Sequence, residues 1–141
     1  MISGSYFSFI GPFFQSKKED YPWIQWKLPR KINITKVTLM SRDCSTFSQG
    51  VDCQVLRLIE IRAGESPIEA DFSGRIFKNK LCGTFIGPGE TGGEYTIKCK
   101  GPILSDVITI QLKDDNSILQ LNLIKIEKDN KGELRNTSFA V

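Results

Sequence analysis

The sequence predicts an all-β domain, an antiparallel jelly-roll β-sandwich of about eight strands, and three observations carry that expectation. Apolar and polar residues alternate with period two in run after run. Turns rich in Gly, Pro and Asp/Asn separate those runs. No stretch shows the 3.6-residue period of an amphipathic helix, and no internal repeat or linker interrupts residues 1–141, which read as a single domain.

The most informative stretch is Leu81–Cys99, LCGTFIGPGETGGEYTIKC. A cysteine, a loop holding five glycines (Gly83, Gly87, Gly89, Gly92 and Gly93), and the alternating Tyr95, Ile97 and Cys99 read as strand, wide turn and strand. With Cys82 near one end and Cys99 at the other, the expectation is a cross-linked β-hairpin. Closing such a loop removes denatured-state entropy worth about 3 kcal/mol.

Upstream, WIQWKLP places Ile24, Trp26 and Leu28 on one strand face and Trp23, Gln25 and Lys27 on the other, bracketed by Pro22 and Pro29. ITKVTLM is a second half-buried strand with Val37 and Leu39 on one face. VLRLIEIRAG, rich in branched aliphatics and ending at Gly64, reads as a central strand that includes Arg57 and Arg62. ESPIEADFSGRIFKNK is a long connection. VITIQL ends in the Asp114-Asp115-Asn116 turn, and ILQLNLIKIE changes phase after Leu123, the mark of a bulge or bend. The tail from Asp129, DNKGELRNTSFAV, is polar and reads as frayed. At the other end, residues 1–18 carry Tyr6, Phe7, Phe9, Phe13 and Phe14 around Gly11-Pro12. They read as an irregular segment pinned by its rings; an exposed aromatic ridge that stacks on a sugar or wedges into lipid is the sharper alternative.

Composition bounds the function. The 141 residues are 40% hydrophobic and 25% charged, ordinary for a globular domain, and no apolar run approaches the ~20 residues of a membrane span. The net charge of +3 is scattered and forms no basic stripe, which argues against nucleic acid. With no histidine and no Ser or Cys nucleophile beside an activating partner, the chain reads as no enzyme. The loop GPGETGG lacks the Lys-Ser/Thr and following helix of a phosphate cradle.

Four cysteines, Cys44, Cys53, Cys82 and Cys99, allow three pairings. The local one, Cys44–Cys53 with Cys82–Cys99, closes two separate loops and is the one expected. Gaps of this size without histidine fit zinc poorly. The sequons at Asn33 and Asn136 agree with a secreted, oxidising location. Residues 1–14 lack a basic n-region and a small-residue cleavage site, so no signal peptide is read there.

Taken together, WIQWKLP, ITKVTLMSRDC, LIEIRAG, CGTFIGPGETGGEYTIKC and VITIQL followed by LQLNLIKI resemble, in order and spacing, the fucolectin-like F-type lectin domain, a relative of discoidin and coagulation-factor C domains. The resemblance runs from about Pro22 to Ile126. It implies a galactose-binding-like jelly roll, an extracellular location and fucose recognition near a structural calcium ion. Those lectins hold fucose with a histidine and two arginines. Arg42 stands at the first arginine and, with Asp43, is the expected ligand contact, a planar donor fork oriented by a carboxylate. Val55 stands at the second arginine, the histidine is missing, and Cys53 replaces the adjacent cysteine usual next to Cys44. The calcium-binding loop is not visible. Glycans or glycoproteins are therefore the expected partners; a scaffold that has lost its sugar anchors and binds other extracellular protein domains is the alternative.

Overall fold

The computed structural model describes residues 2–4, 7–9, 14–43, 54–65, 79–128 and 136–140. All regular elements among them are strands: β1 (Ile2–Gly4), β2 (Phe7–Phe9), β3 (Phe14–Ser16), β4 (Trp23–Met40), β5 (Ile59–Gly64), β6 (Lys80–Phe85), β7 (Glu94–Leu112), β8 (Gln120–Leu121), β9 (Leu123–Lys128) and β10 (Asn136–Ala140). Every ladder is antiparallel, in the order β10-β9-β4-β7-β5-β6 with β1 also on β4, and a smaller sheet runs β2-β3-β8.

Two long strands make the sandwich. Trp23–Lys27 of β4 pairs with Val107–Gln111 of β7, flanked by β1 and by β5 and β6; Lys36–Met40 of β4 pairs with Glu94–Lys98 of β7, flanked by β9 and β10. Between these halves the register shifts twice. Leu28–Lys31 of β4 stands opposite Asp106 alone, and Cys99–Pro102 of β7 opposite Thr35 alone. Each strand thus carries a wide bulge, which bends it from one layer into the other. WIQWKLP and ITKVTLM, expected as separate strands, are therefore one. Pro29 sits inside the bulge, where its missing N–H costs no ladder bond.

The alternating apolar faces meet in one core. Ile24, Trp26 and Leu28 from the first half join Val37, Leu39, Ile97, Ile124 and Ile126 from the second, with Ile61, Ile108 and Ile110 filling the centre. Burying each such side chain stabilises the fold by about 1.5–3 kcal/mol. Trp26, expected in the core, is 2% exposed, and Phe14 is fully buried.

Other expectations need correction. The stretch around the Gly-rich loop is no hairpin: β6 pairs with β5, whereas Glu94–Lys98 pairs with β4, so residues 86–93 arch between layers. Period-two alternation marks strands but not their partners. The disulfide Cys82–Cys99 does form, with Cα atoms 4.2 Å apart, and joins β6 to the β7 bulge. Gly83 makes that approach possible, since a Cβ there would lie 2.5 Å from Ile97 Cγ2. VLRL is not strand; β5 starts at Ile59, which leaves Arg57 in the preceding loop. The phase change after Leu123 is a bend at which the chain leaves the small sheet (β8) for the large one (β9), while Asn122 N donates to Met40 O at 2.9 Å. The polar tail is not frayed throughout, because β10 pairs with β9, and the N-terminal segment is not wholly irregular, because β1 pairs with β4 and β2 with β3.

Candidate functional site

Backbone hydrogen bonds gather the loops at one end of the sandwich into a continuous rim. Where β4 ends, Ser41 N donates to Gly93 O at 2.8 Å and Ser41 Oγ accepts from Leu56 N at 3.2 Å. Leu56 O accepts from Gly89 N at 2.7 Å, Leu58 N donates to Ile86 O at 2.9 Å, and Lys113 N donates to Leu58 O at 2.8 Å. Tyr21 N then reaches Asp114 O at 2.9 Å. The rim so joins residues 20–22, 41–43, 54–58, 86–93 and 113–117.

Two features shape the Gly-rich arch. Tyr95 fills its inside, stacked on Phe85 with ring centroids 4.5 Å apart, and its Oη accepts from Glu90 N. Gly87 turns the chain at φ 70°, where a side chain would be strained and its Cβ would meet Leu56 O at 2.8 Å.

The two expected ligand residues diverge. Arg42 points inward and is 5% exposed; its Nη1 donates to Gln15 Oε1 at 2.9 Å. Gln120 Nε2 donates to the same oxygen at 3.0 Å, while Gln120 Oε1 accepts from Gln54 N at 2.8 Å. This network ties the end of β4 to β3, β8 and residue 54, and burial lowers the guanidinium pKa. Asp43 is exposed, with Thr91 Oγ1 donating to its Oδ1 at 3.4 Å; Arg42 O accepts from Gly92 N at 3.1 Å. Successive residues of an extended chain point to opposite sides, so adjacency in sequence separates these two side chains.

A pairing the sequence reading missed lies nearby. Arg57, freed from the strand expected for it, donates from Nη1 to Asp114 Oδ2 and from Nη2 to Ser117 Oγ at 3.3 Å. Its hydrogen bond is the main cause that lowers the Asp114 pKa. Lys113 Nζ lies 5.5 Å from the centre of the Tyr21 ring, and a hydrogen bond to Asp115 is the main cause that raises the Tyr21 pKa. The 113–117 turn was legible as a turn; its arginine was not, because Arg57 lies 57 positions away.

Of the remaining candidates, Val55 is half-buried between Gln54 and Leu56, and Trp23 is half-buried. Arg62 braces β5, donating from Nε to Glu60 Oε1 at 2.7 Å and from Nη1 to Asn79 O at 2.9 Å. Asn33 is exposed on β4 opposite Leu104 of β7, and Asn136 opens β10. Cys44 and Cys53 lie outside the described residues. Among the described residues no three His, Cys, Asp or Glu side chains converge as metal ligands, and Asp114 is engaged by Arg57. No helix among these residues is long and apolar enough to cross a membrane.

No protein-family model matches the sequence, and no curated protein does. Solved structures do. A fucolectin from striped bass (Morone saxatilis) serum superimposes with a TM-score of 0.63 at 20% identity, covering 86% of this chain and 38% of that one. The lectin domain of lectinolysin complexed with Lewis b antigen gives 0.66 at 15% identity, covering 92% of this chain and 93% of that one. A Streptococcus pneumoniae fucose-binding module gives 0.56 at 14% identity, over 84% and 73%. At such identities the likeness speaks for architecture. This chain has the F-type lectin-like fold.

Proposed function

We propose that this chain is an extracellular, non-catalytic recognition domain that binds glycans, free or on glycoproteins, through the loop rim at one end of its sandwich. The observation that carries the reading is the near-complete two-way coverage of a lectin domain solved with a Lewis antigen. The rim supplies the chemistry: Asp43 presents an exposed carboxylate to sugar hydroxyls, while the buried Arg42 secures the end of β4 through Gln15. Rigid loops help such a site, because little ordering entropy remains to be lost on binding. The sugar is a fucose-like residue in this reading.

The test is a glycan array probed with the oxidised, folded domain, with and without calcium. Fucose-terminated hits that weaken on Asp43→Ala support the proposal. A blank array from a well-folded sample overturns it. In that event the second reading, a scaffold that binds other extracellular proteins, gains ground; the inward turn of Arg42 and the aliphatic Val55 favour it.

A further inference from the structure

The arrangement expected at Arg42–Asp43, a guanidinium fork aimed by a carboxylate on the loop rim, exists at Arg57–Asp114. Both side chains are partly open to solvent, at 31% and 38% exposure. Two of the five N–H groups of Arg57 serve Asp114 and Ser117. A fork so held has its geometry set in advance of any ligand.

The backbone around the pair is unusual. Among the described residues three non-glycine residues have positive φ, Tyr21 at 52°, Leu58 at 48° and Asn116 at 47°. All three adjoin this spot. Leu58 follows Arg57 and accepts from Lys113 N, Tyr21 N donates to Asp114 O, and Asn116 N donates to Asp20 Oδ1 at 2.7 Å. Asparagine tolerates such a backbone, whereas leucine and tyrosine are strained by it.

Charge narrows the ligand. Arg57 and Lys113 face Asp20, Asp114 and Asp115, an excess of one negative charge. An anionic sugar meets repulsion here; a neutral polyol meets donors and acceptors side by side.

We propose that Arg57 and Asp114 form a subsite for two neighbouring hydroxyls of a neutral glycan, with the Tyr21 ring beside them, an inference that rests on the glycan-binding reading above. The guanidinium donates to one hydroxyl and the carboxylate accepts from the other. Arg57 O and N lie within the 54–58 segment that also borders Ser41, so the subsite extends the rim of Asp43 and forms no separate face.

The test uses the intact chain and a neutral glycan found by the array. Arg57→Gln, and Arg57→Lys, which keeps the charge but loses the fork, are expected to weaken that glycan about tenfold or more, the scale of one lost charge-assisted hydrogen bond. In the wild type, the backbone amides of Asp115 and Asn116 are expected to shift in NMR spectra as the glycan is added. Affinity unchanged in both variants, with those amides still, overturns this inference and leaves the glycan reading standing. Exclusive binding of sialylated or sulfated glycans overturns it as well. A blank wild-type array overturns both.

Discussion

Arg42 and Arg57 show how one residue type acquires opposite duties within a single rim. Arg42 is a buried guanidinium whose bond to Gln15 helps seat β3 and β8 against the end of β4. Arg42→Ala is expected to lower stability by about 1–3 kcal/mol, read from chemical denaturation, because it leaves a buried polar network short of a donor. Arg57 instead acts at the surface, and its effect is read by pH. It holds the Asp114 carboxyl below its ordinary 3.8. Folding therefore favours the ionised acid: that contribution is present above about pH 4 and is lost as the pH falls through the lowered value. In Arg57→Gln the Asp114 titration midpoint, followed by carboxyl NMR shifts, is expected to move up toward the ordinary value. An unmoved midpoint means that the ion pair does not persist in solution.

At the scale of elements, the arch and its disulfide decide how the two layers stay in register. Cys82–Cys99 links an edge strand to the bulge of β7, with Cys82 itself in the core. Its removal in Cys82→Ser is expected to cost about 2–5 kcal/mol under oxidising conditions, measured as a lower melting temperature. Gly83→Ala addresses the same contact by steric means. The added methyl meets Ile97 Cγ2 at 2.5 Å and Lys98 O at 3.3 Å, so overpacking by about 1–3 kcal/mol is expected in denaturation experiments, with the disulfide still formed. These elements were only half legible. Alternation in LCGTF and EYTIKC identified strands, and the spacing of Cys82 and Cys99 identified their bond. That the strands belong to different layers was not legible, since a Gly-rich loop of this length can equally turn back or cross over.

At the scale of the whole molecule, β4 and β7 contribute to a single core along their whole length, so the domain is expected to unfold as one cooperative unit. Ile110, fully buried near the C-terminal end of β7, is the place to test this. Ile110→Ala is expected to cost about 2–5 kcal/mol and to lower a single transition seen alike by tryptophan fluorescence and far-UV circular dichroism. Separate transitions for the two probes would mean that the layers unfold independently.

What the sequence by itself determined about this protein is local: period-two alternation placed Ile24, Trp26, Leu28, Val37, Leu39, Ile108 and Ile110 inward, and each is buried. Hydrophobic burial acts on every strand separately, so the pattern survives in the chain as written. Only the tertiary structure decided that Pro29 lies inside a strand, that Arg42 turns in while Asp43 turns out, and that Arg57 finds Asp114 across the rim. Those outcomes depend on register and on hydrogen bonds between segments far apart in the chain, and no short stretch of sequence carries that information.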